Sequence, residues 1–207
     1  MIKSLVFDIG GILIKESGTE SRKNLEKKFN LHSEKFKEFA IKNLQNSFKG
    51  LHYSKFFRKM IKELKLNHSG MRLTEEWVKA RNKISIWNKN VENLIKQLKK
   101  HYNVSCNTNT TILNDKSNAR IRAYKLFDFC IKSTKIKSAK PEKAIYLATI
   151  KKLKQHNIKS EEAIFIDDQQ ENLPQARKLK FHTILFTNIN QLKLDLKKLG
   201  VKWRKYN

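Results

Sequence analysis

Cysteine, proline and glycine are all scarce in this chain of 207 residues, which contains two, two and six of them. Cys106 and Cys130 lie in strand-like segments without metal-ligand spacing, so we expect reduced, buried thiols rather than a disulfide framework or a zinc site. No apolar run approaches the roughly 20 residues that cross a bilayer, and Asp8 interrupts the apolar stretch near the N-terminus, where a signal peptide would be uninterrupted. The sequence therefore predicts a cytoplasmic protein without a membrane partner.

Acidic residues are also few, with 19 Asp and Glu against 45 Lys and Arg, which gives a formal net charge of +26. Of the basic residues 37 are Lys and 8 are Arg, and Ile (20) and Asn (19) are abundant as well, a combination that A/T-rich coding would produce. A nucleic acid or another polyanion is the alternative explanation of this charge. The lysines are spread along the chain without an Arg-rich block, which favours solvated lysine faces over a nucleic-acid partner.

Hydrophobic residues make up 39% of the chain, enough for a folded core. Residues 15–87 show helical periodicity throughout, in four successive segments without a strand signal, and this predicts a self-contained helical insert. From about residue 90 onward, short apolar runs alternate with amphipathic helical patterns. That alternation predicts an α/β fold in which a parallel sheet is joined by crossover helices.

Two of the predicted strands end in acidic residues. Leu5–Phe7 is followed by Asp8, and Ala163–Ile166 is followed by Asp167 and Asp168. Because the carboxyl ends of parallel strands lie along one edge of a sheet, we expect these three carboxylates to converge. Three such groups repel one another unless a cation or a proton is present, and oxygen ligands of this kind suit Mg²⁺.

A lysine completes this constellation, since Lys140 lies on a loop after another predicted strand and could reach the same edge. A carboxylate nucleophile, a divalent metal and a lysine form a site for phosphoryl transfer through an aspartyl-phosphate. The alternative is a set of unrelated loop acids and a surface lysine.

Four segments, taken in order, resemble the motifs of the haloacid dehalogenase (HAD) superfamily, in the branch with a helical cap inserted after the first strand. They lie at Phe7–Leu13, at Asn107–Asn109, at Phe127–Tyr146 with Lys140-Pro141-Glu142, and at Ile164–Asp168 with Glu171-Asn172. The resemblance covers nearly the whole chain. It implies a Rossmann-like three-layer core, residues 1–14 and 88–207, and an all-helical cap domain, residues 15–87.

The resemblance also implies roles for individual residues. Asp8 would be the nucleophile and Lys140 would steady it, so these two are the predicted catalytic residues. Mg²⁺ would be held by a set comprising Asp8, the main-chain carbonyl of Gly10, Asp167 and Asp168. A small polar residue of the second motif would bind a phosphate oxygen, and the candidates are Cys106, Asn107 and Thr108.

Two departures from the family pattern affect the chemistry. Phosphatases of the superfamily usually carry a second Asp two residues after the nucleophile, which protonates the leaving group and later activates water; here that residue is Gly10. General acid–base help is worth roughly 10²–10⁴-fold, so a slow enzyme is expected unless another acid such as Glu16 substitutes. Cys106 also takes the place of the usual Ser or Thr, and a thiol is a weaker hydrogen-bond donor than a hydroxyl.

Three functions follow from these features. The first is a Mg²⁺-dependent phosphatase of small phosphomonoesters, acting through Asp8, with a small phosphorylated substrate as its partner. The second is a catalytically weak or inactive relative with a binding role, for which the net charge of +26 suggests a polyanion. The third is a carbon–halogen hydrolase, which would not need a metal and which the pair Asp167-Asp168 therefore disfavours.

Overall fold

A parallel five-stranded sheet lies at the centre of the computed structural model, which describes residues 1–15, 18–84 and 86–203. Its strand order is β5-β4-β1-β6-β7, and two further short strands, β2 and β3, pair antiparallel beside it. The strands are β1 (Ser4–Phe7), β2 (Ile14–Lys15), β3 (Ile86–Trp87), β4 (Asn103–Thr108), β5 (Cys130–Lys132), β6 (Ala163–Asp167) and β7 (His182–Leu185). The helices are α1 (Gly18–Phe29), α2 (Ser33–Phe48), α3 (Tyr53–Glu63), α4 (Gly70–Ile84), α5 (Lys89–Leu98), α6 (Ile112–Arg120), α7 (Ser133–Ile136), α8 (Lys143–Gln155), α9 (Leu173–Lys178) and α10 (Ile189–Lys198).

The central strand β1 is buried on both faces, as the unbroken run Leu5–Phe7 predicts. Successive side chains of a strand point to opposite faces, so Leu5 and Phe7 pack with α5 and α10, whereas Val6 packs with α8 and α9. Helices therefore cover both faces of the sheet in three layers. This arrangement confirms the predicted α/β, Rossmann-like fold class.

Helices α1–α4 lie between β2 and β3 in the chain, and we call these four helices the helical segment. They share an apolar core of their own. That core is mainly aromatic and aliphatic, with Leu25, Phe29, Leu31, Phe36, Phe39, Phe57, Met60 and Leu73 buried. Thr74, followed by Glu75 and Glu76, predicts the start of the last of these helices, but α4 begins earlier, at Gly70. The limits of a separate cap domain, residues 15–87, stay a prediction.

Other boundaries also differ from the sequence expectations. The sequence pattern predicts one strand over Tyr102–Cys106 and another that starts at Phe127, but β4 runs to Thr108 and β5 begins at Cys130. The pattern also predicts a single helix over residues 114–125; the structure has α6 and a 3₁₀ turn there, because Arg122 adopts a left-handed conformation with φ of 62°. These shifts decide which side chains reach the edge of the sheet. Within the described ranges, no helix is long and apolar enough to span a membrane.

Candidate active site

The carboxyl ends of β1 and β6 bring three carboxylates together. β1 and β6 pair in parallel with Phe7 opposite Ile166, so Asp8 and Asp167 leave the sheet side by side. One oxygen from each of Asp8, Asp167 and Asp168 lies within 4.8 Å of the others. Asp167 is fully buried, Asp8 is 7% exposed, and Asp168 is half-buried at the mouth of the group. The convergence expected from the two acidic strand ends is therefore present.

The Lys140 ammonium lies inside this group of acids. Its Nζ atom is 2.6 Å from Asp167 Oδ2 and 3.3 Å from Asp8 Oδ1, and it donates to the main-chain carbonyl of Asn107 at 3.0 Å. The side chain of Lys140 is fully buried, so its charge is balanced by these carboxylates rather than by water. Lys140 is thus part of the site and not a surface lysine.

The pKa values of the site reflect its burial and its charge. Burial raises the pKa of Asp8 to about 7; Lys140 opposes this rise, while Asp167 and Asp168 add to it. Burial alone would lower the pKa of Lys140, but Asp8 and Asp167 outweigh it and hold that pKa above its usual value. The pKa of Asp168 is also raised, first by desolvation. The single positive charge of Lys140 therefore does not balance the three carboxyl groups, an arrangement that is typical of a cation site.

The two glycines after Asp8 have different surroundings. Gly11 has φ of +71°, and a Cβ atom there would lie 2.0 Å from Asp168 Oδ2, so the missing side chain is what lets this carboxylate approach the backbone. The backbone of Gly10 does not have the left-handed conformation, and a Cβ atom there would meet nothing within 4 Å. Open space therefore stands where the superfamily's second Asp would project.

The three predicted substrate-binding residues are placed unequally. The Asn107 side chain faces away from the acids and donates to Thr149 Oγ1 (2.8 Å) and to the Ile145 carbonyl (3.3 Å), so its main-chain carbonyl is what reaches Lys140. Cys106 is fully buried on the same face of the sheet as Phe7, and burial followed by its neighbour Cys130 raises the pKa of its thiol. Thr108 ends β4, with its hydroxyl 3.5 Å from the Asn109 carbonyl.

Two asparagines that our sequence reasoning did not select as site residues support the charged groups. The Asn109 amide clamps the backbone of Lys140, because its Oδ1 accepts from the Lys140 N–H (2.8 Å) and its Nδ2 donates to the Lys140 carbonyl (3.0 Å). Asn172 Nδ2 donates to Asp167 Oδ1 at 2.9 Å, and its own carbonyl accepts from Tyr146. Asn109 and Asn172 lie in the quoted motif segments, but their partners are distant in sequence. Glu16, the other candidate acid, lies outside the described residues.

The donor set fits Mg²⁺. Oxygens around an octahedral Mg²⁺ ion lie about 2.9 to 4.2 Å apart, given Mg–O distances of 2.0–2.1 Å. The three carboxylate oxygens, all within 4.8 Å of one another, need a movement of less than about 1 Å to share one ion. The residues that would hold the metal are therefore Asp8, Asp167 and Asp168, with the Gly10 carbonyl as a further candidate.

A three-layer α/β fold with a carboxylate cluster and a buried lysine at the carboxyl edge defines a class of hydrolases. The sequence profile of the haloacid dehalogenase-like hydrolases matches residues 5–186, and the chain belongs to this family. The resemblance that the four motifs indicated is thereby confirmed. A search of curated proteins finds no match.

Solved structures share the fold. A protein from Porphyromonas gingivalis described as a predicted HAD-like family hydrolase is 20% identical, with a TM-score of 0.76, and the alignment covers 98% of this chain and 99% of that one. A HAD family enzyme from Bacteroides thetaiotaomicron, solved with magnesium and inorganic phosphate, is 22% identical over 90% of this chain and 95% of its own, with a TM-score of 0.74. A 2-haloacid dehalogenase from Pseudomonas syringae is 15% identical over 96% and 100%, with a TM-score of 0.67.

Proposed function

We propose that the chain is a Mg²⁺-dependent phosphatase of small phosphomonoesters in which Asp8 forms an aspartyl-phosphate. The observation that carries this proposal is the group of three carboxylate oxygens within 4.8 Å, with the Lys140 ammonium bonded inside it. That the Bacteroides enzyme was solved with magnesium and inorganic phosphate supports the same chemistry at the same fold. A 2-haloacid dehalogenase shares the fold too, but the adjacent Asp167 and Asp168 favour a metal-dependent reaction.

Asp8 is positioned to attack through one oxygen. Within the described residues its hydrogen bonds go to Oδ1, which accepts from the Ile9 N–H at 2.7 Å and faces Lys140. Oδ2 is thus the atom left for bonding to phosphorus. As the Oδ2–P bond forms, the P–O bond to the leaving group breaks, and the leaving oxygen takes its proton from water. Bound Mg²⁺ would supply charge neutralisation for the phosphoryl oxygens.

The second half of the reaction is hydrolysis of the aspartyl-phosphate by water. The residue that would activate this water in most related phosphatases is replaced by Gly10. Both half-reactions therefore lose acid–base help, but good leaving groups need it only in the second. We expect a preference for aryl phosphates, with an aspartyl-phosphate that accumulates because its hydrolysis is slow.

The test is hydrolysis of p-nitrophenyl phosphate with and without Mg²⁺ by the wild type, Asp8→Asn and Asp195→Asn. Asp195 lies on α10 and pairs with Lys198, so its variant is a matched loss of one carboxylate away from the site. We expect turnover that needs Mg²⁺ and is lost in Asp8→Asn but kept in Asp195→Asn. Turnover that survives in Asp8→Asn would contradict the mechanism.

A catalytically weak binding protein is the second candidate, favoured by Gly10 and by the burial of Cys106 on the apolar face of the sheet. It predicts a folded protein that binds Mg²⁺ without hydrolysing any phosphate, and salt-sensitive association with a polyanion such as RNA. An absence of RNA binding at low ionic strength would remove the support that the net charge gives it.

A further inference from the structure

A cleft that is partly open to solvent lies between the helical segment and the beginning of α6. Leu44, Phe56 and Trp77 contribute to the wall from the helical segment, and residues 111–113 form the wall from the core. We call it the apolar cleft. None of the three carboxylates lines it, so it is a feature separate from the charged group.

The wall from the helical segment is aromatic. The Phe56 ring lies 6.2 Å from Trp77 and 5.4 Å from Phe57, in edge-to-face contacts at 75° and 82°. Phe57 is buried beneath, while Phe56 and Trp77 remain half-buried and so present ring surface to the cleft. Rings held in this way offer contact area to an apolar ligand at little cost in side-chain entropy.

Two of the hydroxyl groups that line the cleft already have partners within the protein. Ser47 Oγ donates to the Asn43 carbonyl at 2.9 Å, and Thr111 Oγ1 accepts from the Asn114 N–H at 3.2 Å. A polyol placed here would lose its hydrogen bonds to water without adequate replacement, which costs free energy. An aryl ring or an alkyl chain has no hydrogen bonds to water to lose when it enters the cleft.

The core wall of the apolar cleft is part of the loop that leads away from the charged group. It starts at Thr111, two residues after Asn109, whose side chain clamps the backbone of Lys140. Two residues span at most about 7 Å, so Thr111 lies near the loop residue that positions Lys140. Lys116 lies on α6, and its Nζ atom is 5.2 Å from the centre of the ring of Tyr53, which lines the cleft from the helical segment, so it adds positive charge beside the cleft.

From these observations we propose that the apolar cleft holds the leaving group of the phosphomonoester, so that the substrates are amphipathic anions. They would carry the phosphate on an aryl group or a medium-length alkyl body rather than on a sugar. This inference rests on the proposed phosphatase function and specifies its substrate class.

The first test compares phenyl phosphate, 2-naphthyl phosphate and glycerol phosphate as substrates of the wild type. Phenol and 2-naphthol are of similar acidity, so chemistry contributes little to the difference between the first two. We expect kcat/KM for the naphthyl ester to exceed that for the phenyl ester about fivefold, from the added apolar area buried, mainly through KM. Glycerol phosphate should be the poorest substrate.

Matched variants on α2 locate the effect. Leu44 lines the apolar cleft and is 44% exposed, whereas Ile41 is on the same helix, is 64% exposed and does not line it. Leu44→Gln should lower the naphthyl-to-phenyl ratio about threefold, and Ile41→Gln should leave it unchanged. Equal ratios in the wild type, or equal effects of the two variants, would overturn the proposed substrate class while the phosphatase function stood.

Binding is measured separately, by quenching of tryptophan fluorescence on titration of Asp8→Asn with 2-naphthyl phosphate. We expect binding that Leu44→Gln weakens and Ile41→Gln does not. If the wild type hydrolysed no phosphate but this Leu44-dependent binding remained, the catalytic proposal would fail and the ligand site would stand. Absence of binding to Asp8→Asn would overturn the ligand site.

Discussion

Under the proposed mechanism, introducing an acid at Gly10 should make the rate less dependent on the leaving group. The site has room, because a Cβ atom at Gly10 meets nothing within 4 Å and the residue does not need a left-handed backbone. Replacing such a glycine also reduces the freedom of the unfolded chain, which is worth about 0.4–1 kcal/mol. We therefore expect Gly10→Asp to fold.

The magnitude follows from the charges nearby. A carboxylate about 5 Å from another at an effective dielectric constant near 20 is repelled by about 3 kcal/mol. Beside Asp8, Asp167 and Asp168, the introduced carboxyl group should thus keep its proton toward neutral pH, as a general acid must. For an alkyl phosphate, whose leaving group needs that proton, we expect kcat to rise about 10²–10⁴-fold. For p-nitrophenyl phosphate the bond-breaking step should hardly change.

The assay is kcat and kcat/KM for butyl phosphate and p-nitrophenyl phosphate at saturating Mg²⁺, with Gly10→Asn as the control of equal size without an acid. The bond-breaking step is compared through kcat/KM, because kcat also includes hydrolysis of the aspartyl-phosphate. Pre-steady-state release of p-nitrophenolate adds a second readout: the wild type should show a burst close to the enzyme concentration, and Gly10→Asp should reduce it by speeding hydrolysis of the aspartyl-phosphate. Equal gains from the Asp and Asn variants, or equal gains in kcat/KM on the two substrates, would refute the reasoning.

Three further predictions follow from contacts at the site. Gly11→Ala should weaken Mg²⁺ binding at least about tenfold by displacing Asp168, and calorimetry should show a larger effect than in Gly200→Ala, where φ is also positive (+75°) but a Cβ atom meets nothing. Asn109→Ala should lower the free energy of unfolding by about 1–3 kcal/mol in denaturant titrations and reduce kcat, because the Lys140 backbone loses two hydrogen bonds; unchanged kcat would contradict the positioning role. Because the pKa of Asp8 is raised to about 7, protons compete with Mg²⁺ for this carboxylate below pH 7. The apparent Kd for Mg²⁺ should therefore rise about tenfold per pH unit below 7 and stay level above it. A Kd that does not change with pH would count against Asp8 as a ligand.

The central part of the fold could be predicted from sequence because two strong patterns agree. Leu5–Phe7 and Ala163–Ile166 are short apolar runs that end in acids, and a parallel sheet leaves no other place for such ends than one edge. Strand register in the structure then determines that Asp8 and Asp167 are neighbours.

The end of β4 was less predictable, because it is set by pairing with β5 rather than by the residues of β4 itself. Polar side chains at Asn107 and Thr108 indicate a loop, yet β5 pairs with these positions and extends β4. That extension turns the Asn107 side chain toward α8, where Thr149 and the Ile145 carbonyl receive its hydrogen bonds. The pattern of a single sequence contains no signal for these hydrogen-bond partners on α8, which lie about 40 residues further along the chain.

The adjacent residues Asp167 and Asp168 differ in burial and in hydrogen bonding, which their shared residue type does not reveal. Asp167 and Asp168 are identical letters, but Asp167 is fully buried, with Lys140 on Oδ2 and Asn172 and the Gln169 N–H on Oδ1. Asp168 is half-buried and receives its hydrogen bond from the Gln169 side chain on Oδ2. Asp167 is the last residue of β6 and is fixed within the protein, whereas Asp168 follows the end of the strand and stays partly exposed. The structure thus divides one predicted pair into a carboxylate that holds Lys140 in place and another that is freer to move onto a metal.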